Sequence, residues 1–327
     1  MAAELVDSFG RVHRDLRISV TDRCNFRCVY CMPSEGMRWL DRAELLSFEE
    51  LTRVAALLVD RYGFDGIRLT GGEPTVRAHL PVLVGKLAAL GVDVALTTNG
   101  ATLRLLAHDL AAAGLGRINI SLDSLRAERF EALTRRDGLD RVLDGIDAAL
   151  EAGLRPVKVN VVLMRGINDD EVVDFARFGR ERGVTVRFIE FMPLDAQEEW
   201  SASRVVGRDE IVDAVDAVFP LEGLARGSEP AERFRYRDGA GEIGVIASVT
   251  HAFCGSCDRI RVTAEGQLRT CLFALDEHDL RGPLRAGADD EQLAAIVEAA
   301  VAQKWAGHGI DTVNFVRPSR SMSQIGG

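Results

Sequence analysis

The chain has 327 residues, 47% of them apolar, enough for one large barrel-type domain or two modules. Its formal net charge of −10 argues against general affinity for nucleic acid or an anionic membrane surface, while leaving room for a small anion held by a local basic cluster. No apolar run reaches the ~18 residues of a membrane span, and residues 1–15 are charged with no apolar signal core. The expected location is therefore the cytoplasm, where thiols stay reduced.

The first strand expected in chain order is Asp15–Val20. It runs into a loop carrying Cys24, Cys28 and Cys31, spaced C-x3-C-x2-C, with aromatic Tyr30 before the last cysteine. A loop this tight gathers three thiolates. They can hold three irons of a cubane cluster and leave the fourth iron without a protein ligand, which makes it a reaction site rather than an electron carrier. A zinc loop or a redox thiol set are the competing readings of the triad alone. A disulfide framework does not suit so long a chain with no mark of an oxidising compartment.

Further strands are expected at Gly66–Thr70, Asp93–Thr98, Arg117–Leu122, Pro156–Leu163 and Val184–Met192. Helical patterns fall between them at 47–62, 79–90, 101–113, a pair within 126–152, and 169–182. Strands alternating with helices imply a parallel sheet with right-handed crossovers. Along these strands one parity is apolar: Ile18, Ile67, Leu69, Val94, Leu96, Ile118, Ile120, Val157, Val159 and Val161 suit the helix-facing side. The other parity carries Arg17, Ser19, Arg68, Thr70, Thr97, Asn99, Asn119, Ser121, Asp123, Lys158 and Asn160, and Glu190 and Met192 share a parity on the last strand. Closed eight-stranded barrels fill their interior with branched apolar side chains. A polar, partly basic interior instead predicts an α/β fold of the incomplete (βα)6 TIM-like type, wider and holding a ligand.

Loops at the carboxyl ends of such strands carry chemistry. Besides the cysteine loop, these are Gly71-Gly72-Glu73-Pro74, whose glycines permit close backbone approach, Thr97-Thr98-Asn99-Gly100, and Ser121-Leu122-Asp123. Taken singly, each is also an ordinary turn or helix cap.

The alternation stops after Met192-Pro193, giving expected domains of 1–193 and 194–327. The stretch from Leu194 to about Pro230 is charged and loop-rich, with one helical pattern near 208–218 and no chemistry to be read from it. Antiparallel strands are expected at 234–238 and 243–249. Then come Cys254-Gly255-Ser256-Cys257, the run Arg259-Ile260-Arg261, a hairpin signal at 264–267, and Cys271. The hairpin would fold Cys271 back beside the C-x2-C pair. His251 or His278 could complete a zinc site there, and a second cluster is the alternative, favoured by pairing with the first triad. The six cysteines thus fall into two groups of three, with none left over. Residues 290–305 read as a packing helix with Leu293, Ile296, Val297, Ala300, Val301 and Trp305 on one face. The chain ends on Gly326-Gly327, an ordinary frayed end that could also thread into a narrow cavity.

The two triads, the Gly-Gly-Glu-Pro loop, Arg259-Ile260-Arg261, the stretches Val20–Cys28 and Arg187–Met192, and the Gly-Gly end together resemble the GTP 3′,8-cyclases of molybdenum cofactor (molybdopterin) biosynthesis, within the radical S-adenosylmethionine (SAM) superfamily. The likeness runs from Arg11 to Gly327 and is weakest at 194–233. It implies that Cys24, Cys28 and Cys31 hold one 4Fe-4S cluster, and that Tyr30, Gly72, Ser121 and Met192 line the SAM site. It implies a second 4Fe-4S cluster on Cys254, Cys257 and Cys271 whose open iron binds guanine. GTP would be held by Arg17, Arg68, Thr97, Lys158, Arg259 and Arg261. Arg259, Arg261, Gly326 and Gly327 would assist catalysis. The implied reaction forms a 5′-deoxyadenosyl radical, removes the ribose 3′ hydrogen, and closes the ring from C3′ to guanine C8. It also implies an external electron donor and a downstream cyclic pyranopterin monophosphate synthase as partners, and allows a homodimer. The rival readings are a peptide-modifying radical SAM maturase and a zinc- or cluster-binding interaction protein without turnover.

Overall fold

A computed structural model describes residues 3–33, 35, 37–195, 199–310 and 315–326; Gly327 lies outside the described residues. Six strands follow the expected order: β1 (Asp15–Ser19), β2 (Gly66–Thr70), β3 (Asp93–Thr98), β4 (Arg117–Ser121), β5 (Val157–Leu163) and β6 (Thr185–Glu190). Each pairs in parallel with the next. The helices between them form where expected. The first, Phe48–Tyr62, shows why: Ser47 and Glu50 close a reciprocal capping box, and Gly63 ends the helix in the left-handed region.

The C-terminal region adds β7 (Leu221–Gly223), β8 (Glu232–Tyr236), β9 (Glu242–Ile246), β10 (Arg259–Val262), β11 (Gln267–Arg269) and β12 (His278–Asp279). The expected antiparallel pair is β8 and β9, and the expected hairpin is β10 and β11. Sequence pattern did not reveal where they dock. β9 pairs in parallel with β6, and β10 pairs in parallel with β1. Both edges of the six-stranded unit are thereby covered, and one twelve-stranded sheet results, in the order β12-β11-β10-β1-β2-β3-β4-β5-β6-β9-β8-β7. Covering both edges removes the unpaired backbone groups that an open parallel sheet would expose.

The apolar parity behaves as expected. Ile18, Ile67, Leu69, Val94, Leu96, Ile118, Ile120, Val157, Val159 and Val161 are all buried in the main core with the helices. The helix near the end is Asp290–Ala302, shorter than the apolar pattern suggests. Leu293, Val297, Ala300 and Val301 are buried, but Trp305 lies beyond the helix and is 39% exposed. The helix stops at Ala302, with Gln303 as its C-cap, and Lys304 is buried instead.

Candidate active site

The first cysteine loop leaves the carboxyl end of β1 and is pinned by its neighbours. The glycines of Gly71-Gly72 serve this packing. A Cβ on Gly72 would lie 2.5 Å from the Arg23 carbonyl, and one on Gly71 would lie 2.6 Å from that of Thr21. Gly72 and Glu73 donate their backbone N–H groups to the Thr21 and Arg23 carbonyls, both at 2.7 Å. Glu73 is buried, and its carboxylate accepts from the Thr75 and Asn99 backbone N–H groups and from the Thr75 and Thr98 hydroxyls. The Gly-Gly-Glu-Pro loop therefore ties together the ends of β1, β2 and β3.

Around the three thiols the donors are neutral. Cys24 Sγ accepts from the Phe26 N–H at 3.4 Å and the Asn99 amide at 3.8 Å. Cys31 is bonded by the backbone and side chain of Ser323. Tyr30 donates its hydroxyl to buried Asp123 at 2.6 Å, and burial pushes that carboxyl up to about 6. Burial, then the charge of Glu73, pushes Cys24 up to about 11; burial, then repulsion from Cys24, pushes Cys31 up to about 12. Such thiols stay protonated in the free protein and release their protons when metal binds the sulfur.

The second triad is set differently. Cys254 and Cys257 lie just before β10, at the amino ends of the parallel strands, whereas the first triad lies at their carboxyl ends. Cys271 follows antiparallel β11 and returns to the same end, and the three thiols act electrostatically on one another. Here the donors are cationic: Cys257 Sγ accepts from Arg259 Nη2 at 3.4 Å and from Lys304 Nζ at 3.7 Å. Burial opposes the Cys257 thiolate, but these two cations outweigh it and hold the thiol at about 7. Among the described residues no three His, Cys, Asp or Glu are gathered tightly enough for a single metal ion. His251 bonds Thr250 and His278 pairs along β12 with Leu268. Each triad suits a larger group that places separate metal atoms under separate thiolates, as an iron–sulfur cubane does.

A cavity of about 570 Å³ reaches from the first triad to the neighbours of the second: Phe253, Asp258, Arg259 and Leu272 line it, while Cys254, Cys257 and Cys271 do not. Cys24, Cys28, Cys31, Tyr30, Gly72, Ser121, Met192, Arg17, Arg68, Thr97, Lys158, Arg259 and Arg261 all line it. Strand register explains its charge. Arg261, Arg17 and Arg68 sit on one rung across β10, β1 and β2, and Arg259 stands beside Asp15 two residues below on the same face. Like charges directly opposite one another destabilise a sheet. Burial first, then the neighbouring guanidinium groups, lower Arg17 well below its usual range and Arg261 to about 10. Arg17 Nε, Arg68 Nη1 and Arg259 Nε are buried with no hydrogen-bond partner. Unsatisfied buried donors of one sign fit a polyanionic ligand.

The structure also places residues at the cavity that sequence reasoning missed. Arg117 and Arg187 line it, as do Ser228, Glu229 and Pro230 from the stretch in which no chemistry was legible. Arg117 shares the inward parity of Asn119 and Ser121, so it could have been found. Arg187 reaches the cavity beside Asn160, whose Oδ1 accepts from Arg187 Nε and Nη2 at 2.9 and 2.7 Å. The parity of β6 is corrected accordingly. Arg187 and Ile189 face inward, while Glu190 is fully buried and accepts the backbone N–H groups of Arg208, Val249 and Thr250. Met192 reaches the cavity only because the strand has ended.

The C-terminal segment enters the same space. Residues Met322–Ile325 form a short helix, with Met322 at the cavity and Ser323 and Ile325 buried. Gly326 lies in the left-handed region (φ +83°), and a Cβ there would come within 2.6 Å of Thr70 Oγ1. Ser19 and Thr70, expected to face a ligand, face this tail instead. A frayed end is thus excluded for Gly326.

Comparison with known proteins agrees with this arrangement. Residues 18–179 match the radical SAM superfamily, and residues 184–310 match the family described as Molybdenum Cofactor Synthesis C. The chain is 51% identical to the GTP 3′,8-cyclase of Streptomyces coelicolor, over 99% of this chain and 96% of that one. It is 48% identical to the GTP 3′,8-cyclase of Rhodopirellula baltica, over 99% and 92%. In fold it is similar to Streptococcus suis SuiB bound to S-adenosylmethionine (TM-score 0.63, 14% identity, 88% of this chain and 68% of that one). It is likewise similar to native anSMEcpe with bound AdoMet (TM-score 0.57, 14% identity, 81% and 77%). With half of its residues shared along nearly its whole length, the chain belongs to the GTP 3′,8-cyclase family of radical SAM enzymes.

Proposed function

We propose that the protein binds GTP across the arginine rung Arg261–Arg17–Arg68 and presents its ribose to SAM held at the first triad. The overall reaction converts GTP to (8S)-3′,8-cyclo-7,8-dihydroguanosine 5′-triphosphate, in the first step of molybdenum cofactor biosynthesis, with two 4Fe-4S clusters and SAM as cofactors. The observation that carries the substrate assignment is the cluster of buried guanidinium groups lining the cavity, of which Arg17 Nε, Arg68 Nη1 and Arg259 Nε make no hydrogen bond.

In this reading Cys24, Cys28 and Cys31 hold the first cluster and Cys254, Cys257 and Cys271 the second. When bound, the first cluster and SAM supply a 5′-deoxyadenosyl radical. The chain's own contribution is placement. Arg17, Arg68, Lys158, Arg259 and Arg261 take up the triphosphate, with Thr97 beside them, and Arg187 and Arg117 join this set. Tyr30, Gly72, Ser121 and Met192 line the SAM end. The Asp123–Tyr30 bond fixes the cysteine loop against β4. Gly326, whose carbonyl accepts from Arg261, assists the reaction together with Gly327, which lies outside the described residues. The division at 193 and 194 separates the SAM-binding part from the part bearing the second cluster. No helix of the described residues is long and apolar enough to cross a membrane. A cytoplasmic enzyme, served by an external electron donor and followed by a cyclic pyranopterin monophosphate synthase, completes the proposal, with a homodimer as its assembly.

The test is an anaerobic reaction with GTP, SAM and reductant. GTP-dependent release of 5′-deoxyadenosine together with the cyclised nucleotide is expected. Cleavage of SAM without any change in GTP would overturn the assignment.

A further inference from the structure

Lys304 belongs to neither the nucleotide cavity nor the cysteine triads, yet it is 3% exposed. Its ammonium is directed at the second triad: Nζ donates to the Arg259 carbonyl at 2.8 Å, to the Cys257 carbonyl at 3.3 Å, and to Cys257 Sγ at 3.7 Å. A lysine is seldom buried without a charge to meet. The surrounding frame holds it there. Arg11, gripped by Asp7, donates to the carbonyls of Trp305 and Ala306, adjoining Lys304, and to that of Cys254. The backbone on either side of the triad and the lysine is therefore fixed by one guanidinium.

The two triads differ in this respect. The hydrogen bonds to Cys24 come from the Phe26 N–H and the Asn99 amide, and those to Cys31 from the backbone and side chain of Ser323, all neutral groups. Arg27 lies beside the first triad but gives Nη1 to the Cys24 and Phe26 carbonyls. Cys257 has two cationic donors, Arg259 and Lys304. Charge and hydrogen bonds at the ligating sulfurs set cluster potentials. Cations favour the reduced, more negative state.

We propose that Lys304 is a positioning residue of the second site, whose ammonium raises the reduction potential of the cluster on Cys254, Cys257 and Cys271 above that of the cluster on the first triad. The two ends of the cavity are then electrically unequal, and a limiting supply of electrons reduces the second site first. This rests on the reading that the second triad holds an iron–sulfur cluster.

The experiment is a potentiometric titration of the anaerobically reconstituted full-length protein, followed by electron paramagnetic resonance, comparing wild type with Lys304→Met. In the variant, the ratio of reduced to oxidised second cluster at fixed potential should fall about tenfold, equivalent to ~59 mV for a one-electron couple. The first cluster's midpoint should stay where it is. Lys304→Arg should recover most of the difference. If Lys304→Met retains only the irons of the first triad, Lys304→Gln, which keeps a neutral donor, is titrated in its place with the same expectation. An unmoved second midpoint in a variant with both clusters loaded overturns the proposal. Wild-type protein carrying zinc, or irons at the first triad alone, instead overturns the cluster reading on which it rests.

Discussion

Arg261 donates from Nη1 to the carbonyl oxygen of Gly326 at 2.6 Å. A guanidinium on the substrate rung thus also grips the last turn of the chain. Arg261 stands opposite Arg17 in the strand register and has Arg259 two residues away on its own strand. One side chain thus lines the cavity and holds the tail, so in the proposed reading occupation of the cavity and seating of the tail are coupled. The same tail reaches the first triad through Ser323.

This coupling makes Gly326→Ala informative. The residue has φ +83°, and an added methyl would meet Thr70 Oγ1 at 2.6 Å and Ser19 Cβ at 3.0 Å. The left-handed backbone and the contact each disfavour a side chain. The tail should be displaced, product formation should fall at least about tenfold, as for ~1.4 kcal/mol of lost transition-state stabilisation, and iron content should stay unchanged. Product yield and iron are measured on one preparation. Full turnover would show that the seated tail is not needed.

Gly72→Ala acts at the other end. The Cβ would lie 2.5 Å from a backbone oxygen of Arg23, and backbone cannot rotate aside as a side chain can. The Cys24–Cys31 loop must move, so we expect loss of about half the iron, ~4 atoms per chain, and loss of SAM cleavage, while the second triad stays loaded. Retained iron with normal SAM cleavage would count against the packing role given to this glycine.

The core strands and their inward polarity were legible because period-two alternation survives in β1 to β5, where the apolar residues of the helix-facing parity are buried and only Val162 of β5 places an apolar side chain at the cavity. Sequence spacing also placed both cysteine triads and the β10–β11 hairpin. What stayed hidden were relations across long separations. Nothing in Arg259-Ile260-Arg261 says that it pairs with Asp15–Ile18, so the like-charged rung appears only in the folded sheet. Arg187 stays hidden because the sequence pattern groups Glu190 with Met192 on the inward side, although the strand stops at Glu190 and Arg187 has the opposite parity. Lys304 was hidden beneath an apolar pattern that seemed to continue through it.

Arg187→Ala tests the cation that the pattern concealed. Gly244 on the neighbouring strand leaves space for this side chain; a Cβ there would touch Arg187 Cγ at 3.1 Å. Two of its nitrogens are spent on Asn160, which aims the rest into the cavity. Loss of one charge-assisted bond costs about 1.5–3 kcal/mol, so GTP affinity should fall roughly 10- to 150-fold, with SAM binding unaffected. Calorimetry with each ligand separates the two. Unchanged GTP affinity would remove Arg187 from the site.

Lys158 gives the pH dependence. Burial first, then the guanidinium of Arg187, lower its ammonium from the usual lysine range to about 8. The free protein therefore loses this charge as pH rises through about 8. A bound triphosphate favours the ammonium and pulls its pKa back up. Between the free and bound values, binding must take up a proton, and affinity must fall with rising pH by up to about one decade per unit. At pH 8.5, calorimetry in buffers of different ionisation enthalpy should show net proton uptake on GTP binding, and Lys158→Met should abolish it. Folding has the opposite sign: the unfolded chain keeps the proton up to the ordinary lysine value, so this residue opposes folding in full below about 8, and that opposition is relieved progressively as pH rises from about 8 towards the ordinary lysine value. A site whose lysine merely faced solvent would show neither effect, and equal binding enthalpies in all buffers would take Lys158 out of the triphosphate's reach.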